Sequence, residues 1–189
     1  MDNNIFIGGV ITGFILITVL LIWTYNHLVR LRNRVQNAWS DVDVQLKRRH
    51  DLIPGLVETV RGYMAHERQT LEAVTSARAQ AMTTGAPIAA RVVAETALSG
   101  AVGNLFALAE RYPTLKAASN FTLLQEQLNS TENRIAFARQ FYNESVMQYN
   151  TGIATFPRNV VAGAMGFTRA TLFAAEAGDR SNVVVKTSS

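Results

Sequence analysis

The sequence predicts an all-α protein in which an N-terminal transmembrane helix continues into an antiparallel helical bundle with a long, kinked first helix. Residues 5–23 are almost continuously apolar, the 189-residue chain has only four prolines, and apolar residues further along recur every three or four positions. That spacing places side chains on one face of a helix. We expect an anchor at 1–27, a bundle domain at 28–176 and a polar tail at 177–189.

The anchor is predicted from the absence of charged side chains between Asp2 and Arg30. About 20 helical residues cover a hydrocarbon layer of about 30 Å. A cleaved signal peptide is the alternative, but the chain lacks the basic leader and the small-residue cleavage site of such a peptide. We therefore expect a single membrane-spanning helix. Gly9 and Gly13 have the Gly-x-x-x-Gly spacing of a helix–helix contact in the membrane, although glycines are common in such helices.

Positive charge is concentrated directly after the anchor. The net charge is +4, and between Leu28 and His50 there are six basic residues and two acidic ones. Cytoplasmic flanks of membrane helices are enriched in Lys and Arg, so the N-terminus is expected outside and the domain in the cytoplasm. Basic side chains at this position also attract anionic lipid head groups. The candidate membrane-interface residues are Trp23, Tyr25, Arg30, Arg32 and Arg34.

The stretch from Asn37 to Pro54 predicts a helical junction between the anchor and the bundle. Its apolar residues, from Trp39 to Ile53, recur at helical spacing, while charged residues occupy its other sides. Pro54 predicts a kink or a short break; alternatively, Asp51 caps a new helix that contains Pro54 in its first turn. The charged side is a candidate interaction face, formed by Asp41, Asp43, Lys47, Arg48, Arg49 and Asp51.

Three further helical stretches complete the predicted bundle. The first helix is expected to continue its apolar pattern to Ala81, and the turn formers of residues 83–87 end it. A second helix at 88–111 has a core face of Leu98, Ala101, Leu105 and Leu108. A third begins near Asn120, carries an apolar seam from Phe121 to Ile153 and pairs antiparallel with the first. The last helix, Val160 to Ala175, packs against the bundle or lies on a membrane or a neighbouring subunit.

The residues that could carry chemistry do not form a recognisable catalytic or metal-binding set. There is no cysteine. His66-Glu67 superficially resembles a zinc motif, but Thr70 stands where the second histidine is required. Neither a phosphate-binding loop nor a nucleophile elbow occurs. We therefore predict no catalytic residue, metal or cofactor. Nucleic acid is not an expected partner, because the basic residues are not spread over the domain among stacking aromatics.

The order of several motifs resembles the LemA family of bacterial membrane proteins. The longest is Asn-Ala-Trp-Ser-Asp-Val-Asp-Val-Gln-Leu-Lys-Arg-Arg-His-Asp-Leu-Ile-Pro at 37–54, and later ones include Tyr-Pro-x-Leu-Lys-Ala at 112–117 and Thr-Glu-Asn-Arg-Ile-x-x-Ala-Arg at 131–139. The resemblance implies a single-pass protein of the bacterial inner membrane with a helical-bundle domain. It implies no particular activity and supplies no catalytic residues.

These observations favour a non-enzymatic, membrane-anchored scaffold or adaptor that assembles with itself. Its expected partners are the lipid bilayer, further copies of the chain and an unidentified membrane protein. One alternative is the regulatory subunit of an envelope enzyme, with a pocket joining His50 or His66 to Glu126 or Glu132. Another is a lipid-organising protein that acts through the basic flank and the terminal helix.

Overall fold

The computed structural model describes residues 2–64, 66–83 and 85–173, and the regular structure in that part of the chain is entirely helical. This confirms the all-α prediction. The predicted polar tail at 177–189 lies outside the described residues, and the proposed domain boundaries stay predictions. The helices are α1 (Asp2–Arg61), α2 (Arg68–Ala81), α3 (Ile88–Ala109), α4 (Pro113–Lys116), α5 (Ser119–Ala154) and α6 (Arg158–Ala164).

Helix α1 contains 60 residues and carries the apolar N-terminal run into the domain without interruption. Pro54 lies inside this helix, so a short break at Pro54, or a new helix capped by Asp51, is wrong. The proline side chain is exposed. Proline removes one backbone hydrogen bond and bends a helix, so the kink itself stays a prediction.

The first helix ends at Arg61, which corrects the prediction that it continues to Ala81. Gly62 follows, and the backbone N–H groups of Tyr63 and Met64 both donate to the Val60 carbonyl, at 3.0 and 2.9 Å. The predicted apolar positions after the break, Met64, Leu71, Val74 and Ala81, are nevertheless buried. The periodic pattern therefore identified buried positions correctly but did not register the helix end that Gly62 introduces.

The chain forms two compact units. In the described part of the chain, unit 1 comprises the residues up to Leu52 together with Gln125–Leu172, and unit 2 comprises Ile53–Leu124 together with Phe173. Helices α1 and α5 each contribute to both units.

Unit 1 is an antiparallel pairing of α1 with α5. Contacts between the two helices join residues that advance along α1 to residues that recede along α5. The pairs are Arg34 with Gln148 at 3.0 Å, Trp39 with Tyr142 at 5.3 Å between ring centroids, and Arg49 with Glu132 at 2.7 Å. The predicted antiparallel pairing of the first and third predicted helices is thus present within unit 1.

Unit 2 packs α2 against α3 and adds the short α4. Tyr112 donates a hydrogen bond to Glu67 at 3.0 Å, and the rings of Phe106 and Phe121 meet edge to face at 6.0 Å. Helix α3 ends at Ala109, two residues before the predicted end. Two positions of its predicted core face, Ala101 and Leu108, are only half-buried, whereas their neighbours Val102 and Ala109 are buried.

The last helix is shorter than predicted. It spans Arg158–Ala164 instead of Val160 to Ala175, and the described chain from Met165 to Phe173 is not helical. Gly166 has a φ of +71°, a left-handed conformation that glycine adopts readily at a helix end. The N–H of Phe167 donates to the Ala162 carbonyl at 3.0 Å, which satisfies one of the terminal acceptors. Glycine therefore ends this helix before the apolar pattern does.

Candidate interaction surfaces

Four of the six predicted interaction residues form an exposed charged ridge on α1. Asp41, Lys47, Arg48 and Asp51 are exposed, and Val44 between them is 62% exposed. The Lys47 ammonium lies 2.8 Å from the Asp51 carboxylate, one helical turn further along. Asp43 is half-buried. We use the name charged ridge for Asp41, Val44, Lys47, Arg48 and Asp51.

Arg49 does not belong to this exposed surface, which corrects the prediction. The residue is 4% exposed, and its guanidinium donates to the Glu132 carboxylate of α5 at 2.7 Å. Helical spacing explains the difference, because residue 49 lies on the same side of α1 as the buried residues Val42, Leu46 and Ile53. Because Arg49 is charged, its polarity alone predicts an exposed position. Its partner, Glu132, lies 83 positions away along the chain, so the ion pair could not be inferred from neighbouring residues.

A second exposed surface, missed in the sequence, lies on α5. Phe137 is 73% exposed and Phe141 is 49% exposed, one helical turn apart. The α5 seam passes through Ile135 and Tyr142, both of which are buried. The sequence does carry a signal for this pair, because both residues are aromatic and lie outside the apolar seam of α5. We call Phe137 and Phe141 the aromatic pair.

The predicted membrane-interface residues have intramolecular contacts as well. The Tyr25 ring meets the Phe167 ring edge to face at 5.9 Å, and the Arg32 guanidinium lies 5.5 Å from the centre of the same ring. Arg34 donates to the Gln148 side chain at 3.0 Å. Trp23 is 53% exposed, and Arg30 is exposed. The basic flank therefore also holds the segment after α6 against α1.

Hydrogen bonds from α5 fix the segment after α6. The Tyr142 and Tyr149 hydroxyls donate to the carbonyls of Thr171 and Thr168 at 2.8 and 2.9 Å. The Asn150 amide makes two bonds with the backbone of Ala170, one to its carbonyl and one from its N–H, each 2.9 Å long. Burial raises the pKa of both tyrosines above the ordinary value, while Arg32 opposes the rise in the pKa of Tyr149. Three side chains thus satisfy backbone groups of a non-helical segment.

The glycines of the apolar segment leave open space around them. In the described part of the chain, a methyl group built on Gly9 or Gly13 would meet no side chain or backbone atom within 4 Å beyond the adjacent residues and the local helix backbone. The apolar side chains around them are exposed, Phe6 to 74% and Phe14 to 71%. This face is therefore open to another helix or to lipid.

His50 and His66 differ in their burial. His50 is 5% exposed, next to Arg49 in α1, and His66 is exposed between α1 and α2. Glu132, one of the two carboxylates considered for a pocket with these histidines, is bound to Arg49. In the described part of the chain, no group of three or more histidine and carboxylate side chains could hold a metal ion.

Fold and surfaces together define a class of all-α proteins with an N-terminal helix long and apolar enough to cross a membrane. Helix α3 meets the same criteria of length and composition, and its buried residues Leu98, Val102 and Leu105 lie on the helix that packs against α2. The comparisons with known proteins are more specific. The model of the LemA family matches residues 38–186, and the chain belongs to this family.

Relatives of the chain carry two names. It is 27% identical over 158 residues to Protein LemA of Metamycoplasma hominis, covering 84% of this chain and 72% of that protein. It is 26% identical over 182 residues to Magnetosome protein MamQ of Magnetospirillum gryphiswaldense, covering 83% of this chain and 66% of that protein. Magnetosome protein MamQ 1 of Paramagnetospirillum magneticum is also 26% identical, over 81% of this chain and 65% of its own length. The chain thus spans about two thirds of the MamQ relatives, and none of these names states an enzymatic activity.

Proposed function

We propose that this protein is a non-enzymatic scaffold that α1 tethers to a bacterial inner membrane and that assembles with copies of itself. The observation that carries the proposal is the aromatic pair: two phenylalanines, 73% and 49% exposed, stand side by side on the surface of α5. Each aromatic side chain can bury roughly 150–250 Å². Leaving both in water forfeits hydrophobic stabilisation that a contact with another copy would recover.

Membrane tethering makes a small contact sufficient. A stable interface between free proteins buries roughly 1,200–2,000 Å², more than two phenylalanines provide. Anchored copies already share one surface and one orientation, so their effective concentration is high and little orientational freedom remains to be lost. A two-fold axis along the membrane normal would bring Phe137 of one copy towards Phe137 of the next. The aromatic pair is then the centre of a weak contact that the membrane strengthens.

The charged ridge is the proposed contact with a different membrane protein. It combines both signs of charge around the exposed Val44, a pattern suited to a polar and selective interface. Arg49 lies outside this contact because it binds Glu132. Affinity purification from native membranes, followed by mass spectrometry, tests this part. Reversing Lys47 and Arg48 to Glu should remove the partner, whereas reversing Lys116 of α4, which is also exposed, should retain it.

The proposed orientation places the N-terminus outside and the chain from Leu28 onward in the cytoplasm. It is supported by the basic residues Arg30, Arg32 and Arg34, which follow the apolar run. Single cysteines test it cleanly, because the chain has none of its own. A cysteine in place of Asn133 should react with a membrane-impermeant maleimide only after the cells are opened. Labelling in intact cells would reverse the proposed orientation.

Crosslinking in native membranes tests self-assembly. Phe137→Cys and Val44→Cys place single cysteines on the aromatic pair and on the charged ridge, at positions 73% and 62% exposed in the native chain. A short bismaleimide should join two copies of the Phe137→Cys variant and few of the Val44→Cys variant. Dimers through Val44 alone would move the self-contact to the charged ridge. Monomers from both variants, with no co-purifying protein, would contradict the scaffold proposal.

A further inference from the structure

The loop and helix that follow α5 expose apolar side chains on the surface of unit 1. Phe156 is 77% exposed, Val160 is 62% exposed and Met165 is 62% exposed. They stand on both sides of Pro157 and along the short helix α6. We call Phe156, Val160 and Met165 the apolar corner. Three large apolar side chains in so short a stretch form a patch that water solvates poorly.

The apolar corner lies beside the end of the membrane-spanning run. Leu28 of α1 is fully buried in a cluster with Val161 and Ala162 of α6. Gly152 of α5 packs so closely on α1 that an added methyl group would lie 2.8 Å from Leu31. Because α5 runs antiparallel to α1 and ends at Ala154, its last two residues carry the chain about 3 Å past Gly152 towards the anchor. Helix α6 follows and packs on Leu28, which lies five residues, or about 8 Å, past Trp23 along α1.

The burial of Thr24 and one ring contact, both near the end of the apolar run, support this position of the apolar corner. Thr24 follows Trp23 directly and is 2% exposed, whereas Trp23 itself is 53% exposed. The Tyr25 ring contacts Phe167, two residues beyond Met165. The rest of unit 1 therefore covers α1 as far as Thr24, and the exposed apolar surface of α1 begins at the preceding residue, Trp23. The apolar corner continues that surface sideways from the helix.

We propose that the apolar corner inserts into the membrane interface next to α1 and makes a second contact between unit 1 and the bilayer. Lipid is the occupant that the geometry favours, because exposed apolar side chains of α1 and of the corner lie at adjoining levels. Basic side chains flank the corner: Arg158 opens α6 and the exposed Arg169 follows it. They suit anionic head groups, while the apolar residues reach roughly 5–10 Å into the boundary with the acyl chains.

A second contact has a mechanical consequence. A single helix leaves a domain free to rotate about the helix axis, whereas a side contact fixes which surface of unit 1 faces its neighbours. The inference rests on the membrane anchoring that we propose for α1, but it does not depend on self-assembly.

Spin-label accessibility in lipid nanodiscs tests the inference on the full chain. Asn159→Cys places a nitroxide beside the apolar corner, and Asn133→Cys is the matched control at an exposed asparagine of α5, roughly 35 Å further from the anchor along the helix. Ile17→Cys reports on the apolar run. Oxygen, which partitions into lipid, and a water-soluble nickel chelate are the two relaxing agents.

We expect the Ile17 label to be relaxed by oxygen, the Asn133 label by nickel, and the Asn159 label to show several-fold lower nickel accessibility than Asn133. Substituting Phe156→Asp and Val160→Asp in the Asn159→Cys chain should restore nickel accessibility to the control level. Both native side chains are exposed, so these changes leave the fold intact, as circular dichroism will show; Phe156→Ser with Val160→Ser is the milder pair.

Equal accessibility of the Asn159 and Asn133 labels, with Ile17 in the lipid, would overturn the second contact and leave the anchor in place. An Ile17 label relaxed by nickel would remove the anchor and the inference together. Neither result bears on crosslinking at Phe137, so a failure here is distinguishable from a failure of self-assembly.

Discussion

The Arg49 guanidinium of α1 lies 2.7 Å from the Glu132 carboxylate of α5, with the arginine side chain 5% exposed and the glutamate side chain 49% exposed. The pair joins the two long helices of unit 1 from positions 83 residues apart. An arginine buried in a helix pair loses its hydration, and the carboxylate compensates for part of that loss. The charge that made Arg49 a candidate surface residue therefore acts inside the fold.

This ion pair should contribute more to stability than the exposed pair on the same helix. We expect a double-mutant cycle of Arg49→Ala and Glu132→Ala to give a coupling of about 1–3 kcal/mol, since hydrogen bonds to charged groups are worth about that much. The cycle of Lys47→Ala and Asp51→Ala, a pair with side chains 77% and 55% exposed, should give about 0.3–0.5 kcal/mol. Urea unfolding of the full chain in detergent measures both. Equal couplings would mean that burial of Arg49 adds nothing.

The close approach of α1 and α5 at Gly152 should not tolerate a larger residue. An added Cβ would meet the Leu31 side chain at 2.8 Å, so Gly152→Val is expected to lower the free energy of unfolding by about 1–3 kcal/mol. Gly103→Val is the control, because Gly103 is a helical glycine of α3 whose added Cβ would have no non-local contact within 4 Å among the described residues. That change should be neutral or slightly stabilising, since valine forms helix better than glycine. Thermal unfolding of the two variants decides, and a stabilised Gly152→Val chain would disprove the close contact.

The buried tyrosines predict a loss of stability at alkaline pH. Burial raises the pKa of Tyr142 and of Tyr149, so the folded chain holds their protons more tightly than the unfolded chain does. Their contribution is complete below the ordinary tyrosine pKa of about 10 and is lost as the pH rises through it towards the folded values. Unfolding between pH 8 and 11, followed with tyrosinate absorbance, measures the effect.

Tyr142→Phe should reduce this pH dependence and cost about 1 kcal/mol at pH 8, because the bond to the Thr171 carbonyl is lost. Tyr63→Phe is the control, since Tyr63 is 47% exposed and its removal should leave the free energy of unfolding at pH 8 unchanged. An alkaline profile that Tyr142→Phe does not alter would contradict the assignment.

The segment after α6 should detach when Asn150 is replaced. The Asn150 side-chain amide makes two hydrogen bonds with Ala170, each 2.9 Å long. One is donated to the Ala170 carbonyl and the other is accepted from the Ala170 N–H. We expect Asn150→Ala to speed hydrogen exchange at residues 168–171 by about tenfold, which corresponds to about 1.4 kcal/mol. Asn133→Ala, at an exposed site of the same helix, should leave this exchange unchanged. Exchange at the wild-type rate in both variants would show that the tyrosines suffice to hold the segment.

The sequence predicted the helices and their buried positions better than it predicted the exposed surfaces. The spacing of Phe121, Leu128, Ile135 and Tyr142 identified buried positions because one face of a helix must meet the core. It placed the ends of α1 and α6 too late, because the apolar pattern continues past Gly62 and Gly166, where the helical backbone has already ended. Arg49 and Phe137 were missed for a different reason. Each side chain has a polarity opposite to that of the helix side on which its spacing places it: Arg49 lies on the buried side of α1, and Phe137 lies outside the buried seam of α5.

The most direct test of the central claim is to count the subunits of the tethered scaffold in its membrane. Full chains with one fluorophore each, at native expression, are counted by stepwise photobleaching, for the wild type, for Phe137→Asp with Phe141→Asp, and for Val44→Asp as the control on the charged ridge. We predict at least two bleaching steps for the wild type and for Val44→Asp, and a single step for the double variant, because buried aspartates would oppose the contact. Single steps for the wild type, or equal step distributions for the wild type and the double variant, would contradict assembly through the aromatic pair.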